Sequence, residues 1–235
     1  MSISLKRARA IFVKDYKEFS RNYALSIILI FPIILTLLLR GAGPSMSGAF
    51  ALVLNPSFVL LTCFVQACLI AEEKERNTLR TLMMTPATTM DVLIGKSALV
   101  FVMSAVVLPI ATYIFGYKPA NIWAFVAVII LSIILYTAAG TICGLFSKTL
   151  LEASLSIIPV AIIFTGAPWG ALLVKDFPIF KVLEYVPSSQ LEYLLAIRKG
   201  YTTGDLLKPL LITLAWTVVL TIVSVVLYQR RLKDE

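Results

Sequence analysis

The chain has 235 residues, of which 59% are hydrophobic and 14% charged, and its mean hydropathy is +0.92. A soluble domain averages roughly 25% charged residues, so this composition excludes one and reads as a membrane protein. The net charge of +8 then marks the flanks of membrane spans, not a nucleic-acid surface.

The chain has no His, which removes His-based catalysis and His metal sites, and its three cysteines lie in apolar stretches. An odd number so placed suggests no disulfide framework. Several apolar runs approach the ~20 residues that cross a bilayer. The expected fold is an all-α polytopic membrane protein occupying residues 1–235 as one domain. It has six transmembrane helices, an N-terminal amphipathic interfacial helix, and short external amphipathic helices before the last span.

Residues 5–21 form the interfacial helix. Leu5, Ala8, Phe12, Tyr16 and Phe19 share one face at helical spacing, and Lys6, Arg7, Lys14, Lys17, Glu18 and Arg21 cover the other. A basic amphipathic helix of this kind lies in the membrane interface. The first span is expected over 23–39, with Asn22 as cap and Pro32 as a kink. Residues 41–54 read as a connection. Asn55 and Pro56 then start the second span, Asn as cap and Pro at the first helical position, and this span continues toward Glu75. Inside it lie Thr62 and Gln66, one turn apart. Gln66 is the most polar side chain deep in any span and must find a partner. It either lines a path or bonds across a helix interface.

The longest dense run of charge follows, from Glu72 to Arg80 and on to Pro86. Glu72, Glu73 and Glu75 precede Arg76 and Arg80 at spacings that support a helical turn. Asn77 can end that helix in the left-handed conformation, and Thr78 can cap a new one. Leu79, Leu82 and Met83 form an apolar stripe on this short helix. Pro86, after Thr85, stops it. An apolar stripe on a loop implies something to touch.

The third span is expected over 97–115 with Pro109 inside, and the fourth over 122–146, where Gly140 and Gly144 permit close helix approach. The fifth covers 155–173, interrupted by Pro159 and by Gly166-Ala167-Pro168. Residues 175–200 read as short amphipathic helices broken by Pro178 and Pro187. The last span covers 207–228. With six spans, both ends and the 72–96 loop share one side. Most of the 21 basic residues lie on it, which makes it the cytoplasmic side.

Gly95-Lys96-Ser97 is no phosphate loop, because Met90 stands where such a loop needs its first Gly. The chain therefore supplies no ATPase of its own. No span carries an acid near its middle, which disfavours ion coupling.

The acid-rich turn, Thr78-Leu79, Leu82, Thr85-Pro86, and Gly95-Lys96 before the next span resemble the permease subunits of type-2 ATP-binding-cassette exporters. Asn77 stands where the family usually has Gly, a mild departure since both tolerate left-handed geometry. The resemblance implies a coupling helix that docks on a separate ATPase subunit. Glu72, Glu73, Glu75, Thr78, Leu79, Leu82, Met83, Thr85 and Pro86 would carry that contact. It further implies two ATPase copies, a second permease copy or homologous permease, and a place in the plasma membrane with both termini cytoplasmic. ATP and Mg would sit on the partner, with no cofactor on this chain. The motif says nothing of the cargo, but long aliphatic spans with few polar residues favour a hydrophobic or amphipathic one: a drug, a peptide or a lipid-like molecule. An ion-driven transporter or channel is the alternative.

Overall fold

In the computed structural model, residues 4–42, 47–76, 88–171, 177–198 and 200–234 are described, and among these every regular element is helical. The elements are α1 (Leu5–Arg21), α2 (Ile27–Leu39), α3 (Ser47–Glu75), α4 (Thr89–Phe115), α5 (Ile122–Phe146), α6 (Leu150–Ala171), α7 (Pro187–Ala196) and α8 (Thr203–Asp234). Five of them (α3, α4, α5, α6 and α8) are long and apolar enough to cross a membrane. The first expected span is shorter and segmented. A single turn at Tyr23–Ser26, capped by the Asn22 side chain, passes into a 3-10 stretch at Ile27–Ile30. Pro32 then opens the α-helical part, Phe31–Leu39.

α3 is the axis of the bundle. Of its apolar window, 72% is buried, against 17% for α8. α2, α4, α5, α6 and α7 all pack on it, and α8 lies along α5. Gly140 and Gly144 set the α3–α5 distance. A β-carbon on Gly144 would stand 2.7 Å from the Ala67 carbonyl, and one on Gly140 would collide with the Cys63 carbonyl. Aromatic rings fill the centre: Phe58 of α3 stacks on Tyr136 of α5 at 5.4 Å. Tyr136 then meets Phe164 of α6, and Phe164 meets Trp216 of α8. Cys63, Cys68 and Cys143 are buried and unbridged.

Four boundaries differ from expectation. α3 begins at Ser47, so Asn55 is not a cap and Pro56 lies inside a helix. Pro56 has no N–H to donate, and the chain re-registers directly after it into the π-helical stretch Phe58–Phe64. α4 begins at Thr89, which places Lys96 inside a helix. Its start is fixed by a capping box, in which Asp91 N–H donates to Thr88 Oγ and Thr88 N–H to the Asp91 carboxylate. α6 runs through Pro159 and Pro168 without a break. α8 extends past both expected limits. Within the expected 175–200 segment, the described residues 177–198 hold short helices, as expected: a 3-10 run at Pro178–Tyr185, then α7.

Candidate functional site

α1 is held across the two helix ends that flank residues 77–87. Its buried face is Ala8, Ile11, Asp15 and Phe19, while Leu5 and Tyr16 are exposed. The face turned inward is therefore rotated from the purely apolar one that spacing suggests, and it has a carboxylate in it. Lys96 of α4 is the reason. Its ammonium lies 3.1 Å from Asp15 and 3.0 Å from Glu73 of α3, and the Lys96 and Asp15 side chains are each 1% exposed. Lys96 also donates to the Leu69 carbonyl. Lys14 adds a second cation 2.9 Å from Glu73.

Gly95 makes this approach feasible. A β-carbon there would stand 2.8 Å from the Ala8 carbonyl and 2.9 Å from Ile11. The Gly-Lys pair thus works as a unit: Gly95 lets α1 settle and Lys96 binds what α1 brings. Burial raises the Asp15 carboxyl above its ordinary value, Lys96 opposes this, and Glu73 adds to the rise. For Lys14, burial pulls the ammonium down, but Glu73, Glu18 and Asp15 outweigh it and the net shift is upward.

A second strap lies about two turns nearer the N-terminus of α1. Asp91 accepts from Arg7 Nε at 2.7 Å and from the Ser4 amide at 2.7 Å, in addition to its role in the capping box. The other side of the 77–87 segment is knitted in as well. Lys74 donates to the Leu145 and Ser147 carbonyls at 2.7 Å each, closing the C-terminus of α5. Glu75 accepts the Leu150 amide at 2.9 Å, at the N-terminus of α6. Glu72 pairs with Arg76. Tyr228 of α8 packs with Ile11, Ile70, Val92 and Leu145 at this same end. So α1, both flanks of 77–87, the α5–α6 turn and the end of α8 converge at one end of the bundle.

Of the residues read as coupling positions, Glu72, Glu73 and Glu75 are placed. Glu73 is turned into the bundle, not toward a docking surface. Thr78, Leu79, Leu82, Met83, Thr85 and Pro86 lie outside the described residues. Thr62 and Gln66 are fully buried and bond across helix interfaces: Thr62 to Ser104 of α4 at 3.1 Å, Gln66 to Thr141 of α5 at 3.1 Å. Reading by spacing missed Asp15, Lys96, Asp91 and Lys74. The signal available was Asp15 itself, which falls in register with Ala8, Ile11 and Phe19.

A comparison with known families finds that residues 9–226 match the model of the ABC-2 family transporter protein. The chain belongs to the ABC-2 transporter family. It is a multi-pass transport permease, and permeases of this family generally associate with an ABC ATPase. No curated protein matches the chain. For an ABC-2 permease, the convergence around residues 77–87 is the notable geometry, because the two helix ends that flank this segment, on α3 and α4, meet α1, α5, α6 and α8 there.

Proposed function

We propose that this ABC-2 permease is the membrane subunit of an ATP-driven exporter that moves a hydrophobic or amphipathic cargo out of the cell. Two ATPase subunits carry ATP and Mg. A second permease, identical or homologous, completes the path, since six short spans enclose little alone. The segment 72–86 docks on the ATPase through Leu79, Leu82 and Met83, with Thr78, Thr85 and Pro86 shaping it and Glu72 and Glu75 at its edge. Glu73 acts from behind as a positioning residue. The ends and this segment then face the cytoplasm, in a plasma membrane.

The observation that carries this reading is the pair of straps on α1. Glu73 precedes the segment and pairs with Lys14 of α1; Asp91 and Lys96 follow it and bind Arg7, Ser4 and Asp15 of the α1 region. A push on the segment therefore reaches α1, α3 and α4 as one body, a rigid relay of the kind that couples distant sites. The buried carboxylates do not favour the ion-driven alternative. They sit at one end of the bundle and are matched by Lys14 and Lys96, which leaves no acidic relay toward mid-membrane among the described residues.

The test is ATPase activity of the chain reconstituted with its candidate ATPase, wild type against Leu82→Asp. A charge in a docking stripe should cost more than about 1 kcal/mol of binding, read as roughly a tenfold drop in permease-dependent hydrolysis. Co-purification without any effect of Leu82→Asp would remove the docking stripe. Failure of any ATPase to bind would remove the exporter reading.

A further inference from the structure

One polar cluster is used neither by the straps on α1 nor by the packing of the bundle. At the end away from residues 72–91, α3, α6 and α7 enclose a cavity of about 120 Å³. Asn55 lines it from α3. The residue is 3% exposed, and its side-chain oxygen Oδ1 accepts no hydrogen bond. A buried acceptor left unmatched destabilises the protein, so an oxygen held in this way calls for a donor from outside the chain.

Glu192 faces the same cavity from α7. Its Oε1 lies 3.5 Å from where a β-carbon on Gly48 would stand, which places the carboxylate against α3. Among the described residues its side chain makes no hydrogen bond or ion pair. The unmatched atoms of Asn55 and Glu192 at this site are thus acceptors, and one belongs to an acid. Thr165 adds a hydroxyl, which can donate or accept, and the remaining side chains are apolar or aromatic: Ala51, Leu52, Pro168 and the indole of Trp169. A wider cavity of about 430 Å³ continues outward and shares Pro168 and Glu192 with the first. Lys208 and Glu184 line that outer space.

We propose that this cavity binds the head group of a primary alkylammonium ion, with the –NH₃⁺ donating to Asn55 Oδ1 and to the Glu192 carboxylate. An ammonium offers three donors and no acceptor, which complements this pair of oxygens. Trp169 presents a ring to the cation, and Leu52 and Pro168 take the first methylenes. The smaller cavity holds the head group and little more, so the chain leaves through the wider one. An anion meets the Glu192 carboxylate here and is repelled. An alcohol satisfies one of them at most. As a cargo class this rests on the exporter reading; as a binding site it does not.

The test is isothermal titration of the purified full chain in detergent with n-hexylammonium chloride, 1-hexanol and sodium hexanoate, without ATP or ATPase. Saturable binding of hexylammonium alone is expected. Glu192→Gln, an isosteric change at a half-buried position, should weaken it about tenfold. Asn55→Leu, which removes the orphaned oxygen, should weaken it without lowering thermal stability. Hexanol binding as tightly as hexylammonium, or unchanged affinity in either variant, would overturn the proposal. Since no ATPase is present, failure here leaves the coupling experiment untouched.

Discussion

The two ends of the bundle treat buried charge in opposite ways. Near residues 72–91, Asp15 and Glu73 are taken out of water, but Lys14 and Lys96 come with them. Near Asn55, Glu192 and an amide oxygen are half or fully withdrawn, and no described cation answers them. A buried charge matched from within the chain fastens helices together. A buried acceptor left unmatched favours a ligand that supplies the donor. The same chemistry therefore gives a joint at one end and a site at the other.

The joint is broken most severely at Lys96. Lys96→Met would leave two buried carboxylates facing a single half-exposed Lys14. Removing one partner of a buried pair typically costs about 3–5 kcal/mol, and the expected result is a clear drop in the thermal unfolding midpoint in detergent. Adding Asp15→Asn to that variant should restore part of the loss, because the stranded charge goes with it. A Lys96→Met chain as stable as wild type would mean that this end is held by apolar packing alone.

A smaller effect is expected at Gly95. Gly95→Ala places a methyl group 2.8 Å from a backbone carbonyl that cannot rotate away. Overpacking of this kind costs about 1–3 kcal/mol, and protease cleavage within α1 should rise with it. Gly166→Ala supplies the contrast. It lies in α6 with nothing within 4 Å of the new methyl, so helix propensity should make it neutral or stabilising by up to about 1 kcal/mol. Equal behaviour of the two variants would show that α1 does not depend on close approach to α4.

Most of the bundle is legible in the sequence because bilayer thickness dictates span length and because charge marks the flanks. α5 is the clearest instance: Asn121 caps it, Phe146 ends it, and no proline interrupts it. Proline misleads in both directions. Pro56 looks like a helix start, and Pro168 looks like an interruption. Both sit inside helices, since neighbouring helices and a π-helical turn absorb the lost hydrogen bond. The straps are harder to read. Asp15, Glu73 and Lys96 are far apart in the chain, and each taken alone passes for a solvated flank. Only the crossing of α1 over α4, allowed by Gly95, shows that they share one place. Asn55 is the same lesson reversed: its cap-like context hides a side-chain oxygen with no hydrogen bond.

The subtlest way to sharpen the contrast is by pH, because Asp15 and Glu192 are both raised by burial. A raised carboxyl binds its proton more tightly in the folded chain than in the unfolded one. Its contribution therefore favours folding as pH falls toward the ordinary carboxylate value, and fades as pH rises through the folded one. Asp15→Asn should flatten that acid-side slope. Lys14 acts in the alkaline range: its raised ammonium contributes below the ordinary lysine value and loses that contribution as pH climbs through its folded one. The discriminating measurement is carboxylate titration by infrared difference spectroscopy, with and without n-hexylammonium. Asp15 already has Lys96 beside it, so the amine should leave its titration where it is. Glu192 has no cation of its own, so the amine should pull its titration down and release a proton on binding. Movement of Asp15 and not Glu192 would reverse the assignment of joint and site.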